Sequence, residues 1–345
     1  PPAWPDAATV TPSSRTIEND GYRVVLGNRG EIISAVSKAT DPDVELAGAN
    51  GLNDYGAGTI QSVVAEDVGP VSTTLRVDLT GPRRTVRITL YSDVDRIDIA
   101  NAIRENETGF QTYRFHANLP GAEIRFEELG AIAKPGLLTE RGDFLPGTRA
   151  SRMTLNHFVS FGLDDVHLVL SNWDAYSMQV NDSTDSAFDL TGDEVHVVVM
   201  EQAKGAGSGN QGGDDFFLNR FALRGAEGRF DGAEAMRTAM AHQNPLHSVA
   251  LPRNQTGPLR DATASLLSID VNDVVVTAFK PAEDSRAGYI VRMWELGGQG
   301  RTVHIDASVI SPSRAWKTSL VETDISVASM TNGVISASIG ANEIA

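Results

Sequence analysis

Trp173, Asp174 and Tyr176 form the group of side chains best suited to contact a sugar. An indole face matches the apolar C–H face of a pyranose, and a carboxylate accepts hydrogen bonds from hydroxyl groups. The three residues follow the strand-like run Val166–Leu170, so we expect them in a loop after that strand. The alternative is that Trp173 is a core residue and Asp174 a turn residue, because aromatic side chains are common in β cores.

Three pairs of adjacent acidic residues offer carboxylates for hydrolytic chemistry: Glu127-Glu128, Asp164-Asp165 and Asp214-Asp215. Two carboxylates that cleave a glycosidic bond face each other about 5 to 10 Å apart. Adjacent residues on a strand point to opposite faces, so no doublet forms such a pair by itself. We predict that each doublet lies in a solvated loop or turn, and that any facing pair would come from distant segments.

His304 and Asp306 are two residues apart, which on a strand places both side chains on one face. They could be a pair of metal ligands, but a catalytic zinc takes three protein ligands. Val303 and Ile305 alternate with them. We therefore predict a strand with one apolar and one polar face.

A glycine-rich stretch at residues 205–213 contains Gly207-x-Gly209-x-x-Gly212, the spacing of a dinucleotide-binding motif. Phosphate binding by that motif requires a helix to begin directly after the glycines. Here Asp214-Asp215 and the strand-like run Phe216–Phe221 follow instead. We predict a surface loop, and no cofactor-binding site in this chain.

The composition excludes several classes of partner and chemistry. The chain has 29 Lys and Arg against 45 Asp and Glu, and its net charge of −16 repels nucleic acid and anionic membranes. No apolar stretch approaches the roughly 20 residues of a membrane helix, and the first residues show no signal-peptide pattern, so we expect a soluble chain. With 0 cysteines, disulfides and Cys-ligated metals are excluded, while the compartment stays open.

Most of the chain alternates apolar and polar residues with a period of two, as in Val86–Leu90 and Val195–Val199. This pattern is typical of half-buried strands. Turn sequences separate the runs at residues 28–30, 80–82, 191–193 and 331–333. The spacing predicts an antiparallel all-β architecture and disfavours parallel α/β folds.

One segment has helical spacing instead. Ala235, Met236, Ala239 and Met240 share one stripe, and Asp231 is a suitable N-cap, which predicts a helix at about residues 232–242 that packs on a sheet.

A domain boundary is predicted after this helix. Residues 253–258 are polar and end in Gly257-Pro258, a composition typical of linkers. We therefore expect a β supersandwich domain at residues 1–253, which includes the helix, and a small β-sandwich domain at residues 259–345.

Several segments, spread in a fixed order over nearly the whole chain, carry a family resemblance. They are Ile17–Leu26, Gly30–Val36, Gly51–Tyr55, Asp95–Asn101, Asp214–Leu223, Gln243–Leu246, Val276–Asp284, Gly288–Glu295, Leu320–Glu322 and Ala341–Ala345. Together they resemble the C-terminal β region of glycoside hydrolase family 38 α-mannosidases. Asp95–Asn101 is similar to the family's "vDRvdi.N" strand. The order of the matches carries the resemblance more than any single motif.

The resemblance implies a galactose-mutarotase-like supersandwich followed by a small C-terminal β-sandwich. In the family, the zinc ligands and the aspartate nucleophile belong to an N-terminal α/β barrel and the helical region after it. The resemblance therefore implies no catalytic residue and no metal ligand in this chain, with zinc in a catalytic domain outside it. The implied partners are that barrel of the same polypeptide and a mannose-containing glycan.

Two positions depart from the family pattern. His304-x-Asp306 is similar to the zinc-binding His-x-Asp of the family, but it lies near the other end and lacks the Pro-x-Trp that follows there. After the strand Val195–Met200, many members carry arginines close to the catalytic pocket, whereas this chain has Glu201-Gln202. Neither position is therefore assigned the family's role.

From these observations we expect a chain that supports a catalytic barrel and forms one side of its sugar-binding cleft. We expect no hydrolase activity from the chain alone. It should expose an apolar patch on the sheet of residues 1–250, with Trp173, Asp174 and Tyr176 at its rim, and that patch would favour self-association of the isolated chain. The alternatives are a stand-alone carbohydrate-binding or mutarotase-like module, and a pseudo-enzyme whose barrel has lost its metal ligands.

Overall fold

The structure is a computed structural model that describes residues 4–39, 42–105, 107, 109–202, 215–250, 263–284 and 288–345. It divides into two compact units, Pro1–Phe230 with Thr238–Asn244, and Asp231–Arg237 with Pro245–Ala345. The predicted linker at 253–258 and the glycine-rich stretch at 205–213 lie outside the described residues. Within the described residues, no helix has the length and apolarity needed to cross a bilayer.

The first unit is built from strands β1 to β18. They are β1 (Thr9–Thr11), β2 (Thr16–Glu18), β3 (Tyr22–Leu26), β4 (Ile32–Ser37), β5 (Val44–Glu45), β6 (Thr59–Glu66), β7 (Ser72–Thr80), β8 (Arg84–Tyr91), β9 (Ile97–Ile103), β10 (Gly109–His116), β11 (Glu123–Glu128), β12 (Ala131–Ala133), β13 (Met153–Thr154), β14 (Phe158–Gly162), β15 (Val166–Asn172), β16 (Ser177–Val180), β17 (Glu194–Gln202) and β18 (Phe217–Glu227). Short 3₁₀ turns occupy Pro12–Ser14 and Leu138–Glu140.

These strands form three sheets whose described pairings are antiparallel. The largest has nine strands in the order β12-β11-β14-β15-β18-β9-β8-β7-β6, the second has four in the order β10-β17-β16-β13, and the third has five in the order β1-β2-β3-β4-β5. The prediction of an antiparallel all-β fold is confirmed.

Phe221 marks the core between the nine-stranded and four-stranded sheets. Its ring centroid lies 5.7 Å from that of Tyr113 and 5.0 Å from that of Phe115, both on β10. The predicted inward positions Ile88 and Val197 are also fully buried, at 0% exposure. Alternate residues of each strand therefore fill one shared core, as the period-two pattern predicts.

The second unit contains β19 (Ser268–Ile269), β20 (Val274–Pro281), β21 (Tyr289–Glu295), β22 (Arg301–Asp306), β23 (Ala315–Thr318), β24 (Asp324–Thr331), β25 (Val334–Ile339) and a 3₁₀ turn at Ser308–Ile310. The sheets have the orders β19-β22-β25-β24-β23 and β20-β21. Val274, Met293, Val303, Ile305 and Ile339 form the core of this unit.

Helix α1 spans Gly232–Gln243, close to its predicted bounds. The Asp231 carboxylate caps it by accepting hydrogen bonds from the backbone N–H groups of Ala233 and Glu234, at 2.8 and 3.0 Å. In the last turn His242 is buried, and its Nδ1 lies 2.8 Å from the Ser171 hydroxyl on β15. The helix thus packs on the nine-stranded sheet at this point, as predicted.

A buried pair of amides joins the loop before β6 to β9. Asn53 Nδ2 donates to Asn101 Oδ1 at 3.1 Å, and Asn101 Nδ2 donates to Asn53 Oδ1 at 2.8 Å. Both residues are almost fully buried. Each amide satisfies the other where water has no access, so the pair fixes the loop in place.

We predict that Asn101→Ala lowers the free energy of unfolding by about 2–3 kcal/mol, because it leaves the buried Asn53 amide without both hydrogen bonds. Urea titration of the purified chain measures this change. Asn118→Ala, which removes an exposed amide bonded to the Glu45 carbonyl, is the matched control and should cost under about 1 kcal/mol. Equal losses for the two variants would contradict the role of the amide pair.

Burial lowers the pKa of His242 to about 4, with opposing contributions from Asp98 and Asp174, which raise it, and from Arg96 and Arg220, which lower it. Between pH 4 and 6.5 the unfolded chain binds more protons at this site than the folded chain. The free energy of unfolding is therefore not reduced by His242 above about pH 6.5. As the pH falls from 6.5 to 4, protonation of His242 in the unfolded chain lowers this free energy by about 3 kcal/mol.

We predict that His242→Gln makes the free energy of unfolding less steep against pH between 4 and 6.5. Urea titrations at several pH values in this range measure the slope. His247→Gln, a substitution at an exposed histidine, should leave the slope as in the wild type. An unchanged slope in the His242 variant would show that this imidazole does not control the acid sensitivity.

Candidate functional site

The outer face of β10 and β17 carries the polar side chains that could form a site. Tyr113 and Phe115 point into the core, so Arg114 and His116 point outward. The register pairs Arg114 with His196 and His116 with Glu194. The pairing of two strands thus brings charged side chains from distant parts of the sequence together.

A loop at residues 47–54 runs along the free edge of β10. The backbone groups of Asp54 and Arg114 exchange hydrogen bonds at 3.0 and 2.8 Å, and His116 N–H donates to the Gly51 carbonyl at 3.0 Å. Gly51 has a φ of +79°, and a Cβ there would lie 2.9 Å from the Ile32 carbonyl oxygen. Glycine is required at this position for the loop to follow the strand.

The loop, β10 and residues 29–33 line an open cavity of about 330 Å³, which we call the Arg114 pocket. It is lined by Arg29, Glu31, Ile33, Ala47, Gly48, Ala49, Asn50, Gly51, Asp54 and Arg114. These residues all belong to the first unit.

Two buried carboxylates hold Arg29 at one side of the Arg114 pocket. Its Nε and Nη2 donate to the two oxygens of Asp54 at 3.2 and 3.0 Å, and its Nη2 lies 3.6 Å from Glu31. The hydrogen bond to Asp54 raises the pKa of Arg29 above its ordinary value. One guanidinium thus meets two carboxylates at this side of the pocket, and the bidentate pairing with Asp54 fixes its orientation.

Glu194 lies beside the other side of the Arg114 pocket, where it contacts Arg114 and Asn50. Its carboxylate accepts from His196 Nε2 at 2.5 Å and Asn50 Nδ2 at 2.8 Å, and lies 3.2 Å from Arg114 Nε. Burial acts to raise the pKa of Glu194, but the hydrogen bonds from His196 and Asn50 and the neighbouring cations outweigh it and hold the pKa below its ordinary value. At neutral pH this group accepts hydrogen bonds and has no proton to donate.

Metal binding is not supported by the described residues. No three His, Asp or Glu side chains among them are arranged to hold a metal ion. His304, predicted as one of a polar pair, donates its backbone N–H to Asp270, and its Nδ1 lies 2.7 Å from the same carboxylate. His304 and Asp306 are exposed while Val303 and Ile305 are buried, which confirms the two-faced strand.

The structure places Trp173 and Asp174 directly after β15, as predicted, and joins them through Arg220. The Arg220 guanidinium lies 3.6 Å from the centre of the half-buried Trp173 ring. It also donates to both Asp174 oxygens, at 2.9 and 2.6 Å. Arg220 thus covers one indole face and occupies acceptor positions of Asp174.

Tyr176, the third predicted site residue, is 71% exposed. Among the described residues its side chain makes no ring contact or hydrogen bond with Trp173 or Asp174. The edge of the Trp173 ring meets His242 instead, at 5.5 Å between ring centroids. The role of Trp173, Asp174 and Tyr176 in sugar binding therefore stays a prediction.

The prediction of a solvated Glu127 is wrong. Glu127 lies on β11 with 1% exposure, and its carboxylate accepts from Gly130 N–H at 2.8 Å and His157 N–H at 3.1 Å, with His157 Nδ1 at 2.8 Å. Burial acts to raise its pKa, but these hydrogen bonds outweigh burial and the pKa is lowered. The carboxylate thus satisfies the Gly130 N–H in the turn after β11 and the His157 N–H just before β14. Asp164-Asp165 is exposed in a bend, as predicted.

Comparison with known proteins finds a family match in the second unit and solved structures that share the fold of both units. Residues 273–345 match the family described as "Glycosyl hydrolases family 38 C-terminal beta sandwich domain". No curated protein sequence matches the chain.

Two solved structures share the fold of nearly the whole chain. The structure of an alpha-mannosidase from Enterococcus faecalis V583 matches with a TM-score of 0.73 and 11% identity, covering 98% of this chain and 42% of its own. A protein in the glycosyl hydrolase family 38 from Enterococcus faecalis matches with a TM-score of 0.72 and 11% identity, covering 98% of this chain and 44% of its own. The chain thus spans less than half the length of these structures.

A galactose mutarotase related enzyme from Lactobacillus acidophilus also matches, with a TM-score of 0.33 and 12% identity, over 62% of this chain and 99% of its own. The resemblance to the C-terminal β region of glycoside hydrolase family 38 enzymes is confirmed, by the family match at residues 273–345 and by the shared fold over 98% of the chain.

Proposed function

We propose that this chain is the non-catalytic C-terminal portion of an α-mannosidase-like glycoside hydrolase. In this role it braces a catalytic barrel of the same polypeptide and forms one wall of the cleft that holds a mannose-containing glycan. The observation that carries the proposal is the coverage: 98% of this chain corresponds to 42% of an alpha-mannosidase chain. More than half of that relative has no counterpart here.

The charged groups of the first unit also support the proposal that this chain is non-catalytic. Hydrolysis by two carboxylates needs a proton donor and a second, facing carboxylate. Asp54, which lines the Arg114 pocket, is paired with Arg29, and Glu194, which lies beside the pocket, is paired with Arg114, Asn50 and His196. Because its pKa is held below the ordinary value, Glu194 accepts hydrogen bonds but is a poor acid at neutral pH.

Zinc belongs, in this proposal, to the part of the protein outside this chain. The described residues do not offer the ligand set that a zinc ion requires, since no three His, Asp or Glu side chains converge in them.

Exposed apolar side chains of the first unit support the proposal that another part of the protein covers its surface. Leu129, Leu138 and Leu145 are 79%, 58% and 65% exposed, all within the segment that connects β11 to β13. Surfaces that another protein part covers expose large apolar side chains when that part is missing. We propose that this segment contributes to the contact with the barrel, or to self-association when the barrel is missing.

We predict that the purified chain releases no 4-nitrophenol from 4-nitrophenyl α-D-mannopyranoside, with or without added zinc. The complete gene product should do so in a zinc-dependent reaction, and deletion of residues 1–345 from it should abolish the activity through loss of the supporting wall. Absorbance of 4-nitrophenolate measures all three. Zinc-dependent hydrolysis by the isolated chain would overturn the proposal.

The coding sequence before Pro1 separates this proposal from a stand-alone carbohydrate-binding or mutarotase-like module. A barrel with an early His-x-Asp-Pro-x-Trp segment is expected under the proposal. A start codon or a signal peptide directly before this chain would favour the stand-alone module. Metal analysis of the complete protein then distinguishes an active enzyme from one that has lost its ligands.

A further inference from the structure

The Arg114 pocket has a size that suits a single sugar ring. Small-molecule pockets commonly measure about 300–1,000 Å³, and this cavity, at about 330 Å³, lies at the low end of that range. Gly48, Gly51 and Ala49, which carry little or no side chain, form part of its lining. A cavity of this size accepts one pyranose, whereas a longer chain of sugars would extend out of it.

The charges at the pocket disfavour an anionic ligand. Arg29 and Arg114 are balanced by Glu31 and Asp54 within the lining, and Glu194 adds a further negative charge beside Arg114. An anion entering the pocket would meet the buried Glu31 and Asp54 carboxylates, whose pairing with Arg29 already uses the positive charge. Hydroxyl groups carry no net charge and can both donate and accept, so they fit this lining.

Hydrogen-bonding capacity remains at Arg114. Among the described residues its side chain meets one carboxylate, Glu194, through Nε. Both terminal nitrogens of this half-exposed guanidinium are therefore available to ring and hydroxyl oxygens. The Asp54 carboxylate accepts from Arg29 and from the Gly56 N–H, and a remaining lone pair can accept from a sugar hydroxyl.

An apolar surface lies beside these polar groups. Ile33 lines the pocket although it is 50% exposed, and Ala47 and Ala49 line it as well. A pyranose has apolar C–H groups on its ring faces and hydroxyls around its rim, so it needs both kinds of contact. Together the lining offers an aliphatic patch and a rim of donors and acceptors.

We propose that the Arg114 pocket binds one neutral pyranose residue, with Arg114 and Asn50 as hydrogen-bonding residues and Ile33 as the apolar contact. The site lies in the first unit and requires no other part of the protein. It deepens the proposed function, and it rests on that function for the choice of a mannoside as the first probe.

The test measures binding of methyl α-D-mannopyranoside, methyl β-D-galactopyranoside and methyl β-D-glucopyranoside to the 345-residue chain by saturation-transfer NMR titration. We expect saturable, weak binding of at least one of these pyranosides. Arg114→Met, which keeps the aliphatic stem, should weaken that binding about tenfold, and Asn50→Ala should weaken it severalfold.

Arg125→Met is the matched control. Arg125 is an ion-paired, half-exposed arginine on β11, outside the pocket, and its replacement should leave binding unchanged. Circular dichroism and the urea midpoint of each variant show whether it is folded. A folded Ile33→Asp variant, which places a charge at the apolar contact, should also bind more weakly and does not depend on the arginine.

Three outcomes would overturn the proposal: no saturable binding of any pyranoside, pyranoside binding that the folded Arg114, Asn50 and Ile33 variants leave unchanged, or saturable binding of inorganic phosphate that the pyranosides do not displace. These outcomes are distinguishable from failure of the proposed function. If the complete gene product hydrolyses no mannoside while the chain still binds a pyranoside at Arg114, the proposed function fails and the binding site stands.

Discussion

The alternation of side chains along β10 is the constraint on which both the core and the polar site of the first unit depend. Tyr113 and Phe115 pack against Phe221 of the nine-stranded sheet, at centroid distances of 5.7 and 5.0 Å. The intervening Arg114 therefore points outward, because successive residues of a strand alternate between its faces. A slip of one residue would bury this guanidinium and expose the aromatic rings, so the energy of core packing also fixes the position of the pocket.

Much of this fold follows from local sequence patterns. The buried face of Val86–Leu90 and the helix at 232–243 agree with predictions from periodicity, because both patterns reflect which side chains leave water. Glu127 does not agree, since its burial depends on His157 and Gly130 supplying hydrogen bonds. Local sequence shows that burying a carboxylate is unfavourable, but it does not show which distant groups will form hydrogen bonds that offset this penalty.

The polar sites are less predictable because distant residues complete them. The sequence places Trp173 and Asp174 correctly after their strand. Arg220, which contacts the Trp173 ring and binds the Asp174 carboxylate, lies on the neighbouring strand, 46 residues beyond Asp174. In the same way Asp54 and Arg114 meet only because the loop follows the edge of β10. Strand order across a sheet determines such meetings, and period-two patterns do not encode strand order.

Fold and function are constrained by different residues in this protein. A TM-score of 0.73 at 11% identity shows that an antiparallel sandwich needs a pattern of buried and exposed positions more than particular side chains. Ligand binding instead requires particular groups at particular positions, so a shared fold does not transfer a site.

The two arginine groups illustrate this difference. The Arg220 guanidinium contacts a carboxylate and an indole, whereas Arg114 pairs with Glu194 through Nε and lines a cavity. Both lie on the polar faces of comparable strands, and the pairing of each guanidinium with its neighbours decides which of them can meet a ligand.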